Sequence, residues 1–140
     1  MKREYALLFL FVIAGITSCQ KASINGKLDG MWQLTSIEYK NKPAETPDQL
    51  YYCIQLHMIY LQGSYDCFGS FSHQGDSIHI IMRECKTWDD NDLKIIRACR
   101  ISDIAVYGMN DTIQSFGIEN LGTEKMTLNS SYARLQFRKF

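Results

Sequence analysis

No apolar run in the chain is long enough to cross a bilayer as a permanent helix. The longest, Ala6 to Ile16, falls well short of the ~20 residues that a hydrocarbon core demands. Charge of one sign is missing too: 15 basic and 15 acidic residues give a formal net charge of +0. Neither nucleic acid nor an anionic surface is therefore called for as a partner. The three histidines, His57, His73 and His79, are scattered, and no Cys-x-x-Cys or His-x-x-x-His spacing occurs. No metal centre is expected from them. The acidic run Asp89 to Asp92 lacks the glycine and the distal glutamate of a calcium loop, and reads as a solvated turn. There is no Gly-x-Ser-x-Gly and no serine or cysteine beside a recognisable base, so neither an enzyme nor a cofactor is expected. Internal repeats, low-complexity tracts and a second domain are absent as well.

The N-terminus carries Lys2 and Arg3, then an apolar segment from Leu7 to Gly15, the pattern of a secretory signal peptide over residues 1–18. It ends in Ile16-Thr17-Ser18-Cys19, which resembles the bacterial lipobox, where small residues precede a cysteine whose thiol is lipidated before cleavage. Cys19 is then the attachment point to a membrane, and each buried methylene of its acyl chains adds about 0.8 kcal/mol of affinity. Residues 19–29, polar and followed by Gly30, read as a tether. What remains, residues 30–140, is one domain of ordinary size, large enough for a single core.

From Met31 the hydropathy alternates with period 2. Tyr52, Ile54, Leu56, Met58 and Tyr60 alternate with Cys53, Gln55, His57 and Ile59, which predicts one strand with one buried face. "SFSHQGDSIHIIM" predicts a hairpin turning at Gly75-Asp76, with Phe71 opposite Ile80 and His73 opposite Ile78 on the inner side. Three further alternating segments follow, around Phe116 and Ile118, Met126 and Leu128, and Leu135 and Phe137. A single short helix is expected over Ser102 to Tyr107, capped by Ser102 or Asp103 and ended by Gly108. Seven or eight strands with short turns predict an all-β fold, an antiparallel barrel or sandwich.

Several residues are candidates for chemistry or binding. Trp32, Tyr52, Met58, Tyr60, Phe71, Met82, Phe116 and Phe137 are inward on this reading, either lining an apolar pocket or simply filling the core. Glu84 could face inward near Cys67 or sit in water at a strand end. With Cys19 lipidated, Cys53, Cys67, Cys85 and Cys99 remain. Cys85 and Cys99 bracket the loop "TWDDND", which a hairpin could close, and are the preferred disulfide pair, with buried free thiols as the alternative.

"LDGMWQLTSIEY", with Gly30 and Trp32 opening the first strand, resembles the lipocalin signature, and the C-terminal run from Val106 to Phe140 is similar to that of lipocalin-like lipoproteins of Bacteroidota. The resemblance implies an up-and-down antiparallel β-barrel of about eight strands with one short helix. It carries no catalytic residue, and it implies either a small apolar or amphipathic ligand or an envelope protein as partner. In such bacteria, acidic residues after the lipidated cysteine mark surface export; Gln20, Lys21, Ala22 and Ser23 stand here instead, implying an outer-membrane anchor that faces the periplasm. Asp76-Ser77-Ile78 and Asp111-Thr112-Ile113 resemble O-glycosylation sites of the same bacteria, at Ser77 and Thr112. Metabolic labelling with an alkyne palmitate is expected to tag the protein and to lose that tag in Cys19→Ala; an unlabelled wild type refutes the anchor.

Overall fold

The computed structural model describes residues 24–140. Cys19 and the segment read as an export signal lie outside the described residues. Nine strands follow in order: β1 Gly30–Tyr39, β2 Tyr51–Gln55, β3 Met58–Gln62, β4 Asp66–Gln74, β5 Ser77–Trp88, β6 Lys94–Ala98, β7 Ile113–Leu121, β8 Lys125–Asn129 and β9 Ala133–Lys139. All pairings are antiparallel, and the β4–β5 pairing closes the sheet. The result is a barrel of eight strands with β6 outside it. An eight-stranded barrel has an interior just wide enough for side chains to fill. Here the inward positions of every barrel strand supply them: Trp32, Leu34 and Ile37 from β1, Tyr52 and Ile54 from β2, Ile59 and Leu61 from β3, and their counterparts onward to Phe137, all buried.

The Gly75-Asp76 hairpin has the expected register, Phe71 opposite Ile80 and His73 opposite Ile78. His73, however, lies past the barrel rim and is exposed, its ring nitrogen 2.6 Å from the Gly75 carbonyl. Glu84 is also exposed, because a bulge between Phe68 and Gly69 shifts the β4–β5 register before it. The larger correction concerns the segment read as one strand. It is two strands, β2 and β3, joined by a turn at Leu56-His57, so that Ile54 lies opposite Ile59. The inward set changes parity at that turn: Ile59 and Leu61 go in, while Met58 and Tyr60 go out.

The stretch read as tether is partly folded. Gly26–Leu28 form a 3-10 turn, Leu28 is buried, and its carbonyl accepts the indole N–H of Trp32 at 2.9 Å. The barrel thus takes in residues before Gly30. Gly30 has φ +128, and a Cβ there would lie 2.7 Å from the end of the Lys139 side chain. Its absence lets Lys139 lie with its ammonium 4.3 Å from the centre of the Trp32 ring.

The opposite end is plugged. After β6, α1 (Ile101–Ile104) and a 3-10 turn (Ala105–Tyr107) cross it, with the N-cap at Arg100 rather than Ser102 or Asp103. Tyr107 is buried; its hydroxyl donates to the Tyr65 carbonyl at 2.7 Å and accepts the Ser64 N–H at 3.1 Å. Tyr52, buried in the wall, donates its hydroxyl to the Tyr107 carbonyl at 2.5 Å. Gly108 ends the plug at φ +82, where a Cβ would meet Leu135 at 2.4 Å.

Asp103 sits at the third residue of α1 and is buried. Its carboxylate accepts two N–H groups of Arg97 on β6 at 2.6 and 2.8 Å, and the Arg100 backbone N–H at 2.8 Å. The Arg97 hydrogen bonds hold its carboxyl below the usual range, against burial, which pushes the other way. A carboxyl depressed in the folded state contributes stability above its unfolded pKa of about 3.9, and that stability is lost as pH falls through the lower folded value. Urea unfolding across an acid series is therefore expected to show a steeper loss below about pH 4 in the wild type than in Asp103→Asn. At neutral pH that variant is expected to be less stable by about 1–3 kcal/mol.

Candidate binding groove

The eight residues proposed to line a pocket do not act together. Trp32, Tyr52, Phe71, Met82, Phe116 and Phe137 are buried in the filled barrel interior, with Tyr52 packed edge-on against Phe137 at 4.8 Å between ring centres. Met58 and Tyr60 are on the other side of the wall. They line a groove of about 690 Å³ on the outer face, at the end where the 3-10 turn enters. That volume lies within the ~300–1,000 Å³ of small-molecule sites.

Strand register builds the floor of this groove. Met31 on β1 lies opposite Cys53 on β2, Cys53 opposite Tyr60 on β3, and Tyr60 opposite Phe68 on β4. Four neighbouring strands thereby align four outward side chains in one row, all half-buried. Sulfur and aromatic carbon stand where an outward face ordinarily carries polar groups. Tyr60 and Phe68 stack at 4.5 Å with their planes 16° apart, and the Lys86 ammonium lies 4.5 Å from the centre of the Phe68 ring. Burial, followed by the charge and hydrogen bond of Asp66, pushes the Tyr60 phenol up to about 12, so it stays a neutral donor. Burial also raises the Cys53 thiol.

Ile24, Leu56 and Met58 form the rim, and all three are exposed, Met58 by 60% and Leu56 by 53%. The Asn25 amide ties the entering chain to this rim, donating to the Leu56 carbonyl at 2.8 Å and to the Asp29 carboxylate at 2.6 Å. Leu56 has φ +56, at a hairpin position that ordinarily takes glycine. A large apolar side chain is thus held out in water on a backbone that disfavours it. Sequence reasoning missed the groove because its signal was parity: Met31, Cys53 and Phe68 needed the correct turn to fall in one row with Tyr60.

The remaining candidates are apart from the groove. Ser77 begins β5 and is half-buried between two paired strands, and Thr112 is half-buried in the turn before β7, its carbonyl accepting the Met82 N–H at 2.7 Å. Cys85 and Cys99 are joined in a disulfide at the base of the β5–β6 hairpin.

A closed antiparallel barrel entered by a 3-10 turn, with a tryptophan sealing that end, defines a lipocalin-like protein. Residues 13–140 match the family model described as a lipocalin-like domain, and the chain belongs to that family. Two solved structures are similar to it. A lipocalin-like protein from Bacteroides uniformis is 24% identical, covering 82% of this chain and 100% of that one, with a TM-score of 0.60. An uncharacterized protein from Bacteroides eggerthii is 20% identical, covering 80% and 98%, with a TM-score of 0.54. At such identities the likeness shows the fold. No curated protein matches the chain.

Core and groove residues should separate cleanly on truncation. Phe71→Ala or Phe116→Ala is expected to cost about 3–5 kcal/mol. Met58→Ala should stay within about 0.5 kcal/mol, as measured by denaturant unfolding.

Proposed function

We propose that the protein is a lipid-anchored lipoprotein of the cell envelope that binds one small apolar or amphipathic molecule in the outer groove. The observation that carries this reading is the row Met31, Cys53, Tyr60, Phe68, an apolar floor across four strands beneath an apolar rim. Lys86 and the Tyr60 hydroxyl at the edge suit the polar head of an amphipathic ligand. The interior, being filled with side chains, is a poor alternative site. Attachment at Cys19, with the barrel facing the periplasm from the outer membrane, fits a groove that opens beside the entering chain.

A second reading, a barrel that docks another envelope protein, draws on the β5–β6 hairpin, which exposes Trp88, Leu93, Ile95 and Ile96 outside the barrel.

Native mass spectrometry of the protein taken from its own envelope is expected to retain a small molecule. Alkylation of Cys53 should slow when that molecule is bound, and Met58→Glu should release it. A protein that carries nothing, with Cys53 reacting equally before and after delipidation, overturns the groove; a co-purifying protein lost on Trp88→Ala supports the second reading instead.

A further inference from the structure

A third sulfur stands beside the disulfide. Cys67 on β4 is directly opposite Cys85 on β5, and their sulfurs are 2.6 Å apart. The sulfurs of Cys67, Cys85 and Cys99 all lie within 4.8 Å of one another. Cys67 is buried, while Cys99 is half-buried and immediately precedes Arg100, the N-cap of α1. Residues directly opposite on antiparallel strands have Cα atoms about 4.5–5.5 Å apart. That falls in the roughly 4.4–6.8 Å a disulfide tolerates, as does the 5.1 Å between Cys85 and Cys99. Either pairing can therefore form on the same backbone.

We propose that Cys67, Cys85 and Cys99 form a thiol–disulfide exchange site that hands the free thiol from buried Cys67 to Cys99, where a low-molecular-weight electrophile or disulfide can modify it. Cys67 loses its proton to solvent and its thiolate attacks Cys85 Sγ. The Cys67–Cys85 bond forms, the Cys85–Cys99 bond breaks, and Cys99 leaves as a thiolate that takes up a proton. No net oxidation occurs, so no external oxidant or reductant is required. The exchange also removes the covalent tie between β5 and the start of the plug, while the Arg97–Asp103 ion pair and the Tyr52 and Tyr107 hydrogen bonds stay in place.

Burial, with the charges of Asp103 and Asp66 adding to it, pushes the Cys67 thiol up to about 12. The thiolate fraction, and with it the exchange rate, is expected to rise about tenfold per pH unit through the alkaline range below that value. The folded, full-length protein is held at a series of alkaline pH values with iodoacetamide present, quenched in acid and mapped without reduction. Expected are alkylated Cys99 and a Cys67–Cys85 cross-link, growing with pH, and neither in Cys67→Ser. An intact Cys85–Cys99 bond with Cys99 unlabelled at every pH overturns the proposal. Cys99→Ser, produced in an oxidising compartment, gives a second test: a folded variant with a Cys67–Cys85 disulfide supports exchange, and a folded variant with both thiols free overturns it.

Discussion

Two buried phenols fix the architecture. A Tyr hydroxyl inside a dry barrel costs several kcal/mol unless it is paired, and Tyr52 and Tyr107 are both enclosed. Tyr52 resolves its need on the backbone of Tyr107, and Tyr107 resolves its own on the β3–β4 loop through Tyr65 and Ser64. Each link constrains the next: the wall positions the plug, the plug positions the loop, and the loop sets where β4 begins. The sharp left-handed exit at Gly108 belongs to the same constraint, because the chain must leave the plug against Leu135 without a side chain of its own. One end of the barrel is thereby closed by hydrogen bonds and the other by Trp32 on Leu28.

With both ends sealed and the interior filled, the large apolar groove lies on the outside of the wall. The outer face over β1 to β4 departs from the usual polar finish of a half-buried sheet, and does so in a single cross-strand row. A groove built this way is shallow but rigid, since its floor is sheet and its side chains are spaced by the strand separation of about 4.8 Å. Along that row two sulfurs, of Met31 and Cys53, and two rings, of Tyr60 and Phe68, follow one another at regular intervals.

Much of the barrel was legible in the sequence, for a physical reason. Period-2 alternation and turn chemistry are local, so the Gly75-Asp76 hairpin and its register could be read from a dozen residues, and Gly108 announced the end of the plug. The loop "TWDDND" between them pointed to Cys85 and Cys99, which the structure joins. The reading failed where the chain turns without turn residues. Leu56 adopts a glycine-like conformation, so nothing in the composition broke the run from Tyr52 to Tyr60. One unrecognised turn then reversed the facing of Met58 and Tyr60 and hid the groove. Leu28 escaped for a related reason: polar neighbours masked a residue that the Trp32 indole had selected.

The meeting of β1 with β9 brings the first and last described residues to the same rim. Lys139 donates to the Lys27 carbonyl at 3.3 Å and also to that of Asp29, the Phe140 N–H donates to the Met31 carbonyl at 2.9 Å, and the Phe140 ring packs on Tyr51. Anything fused after Phe140 therefore stands beside the groove and crowds it. The exposed Lys40–Glu45 loop lies at the far end of β1, which makes it the better place to insert a tag or to reopen a circularly permuted chain whose old ends are stitched across that rim.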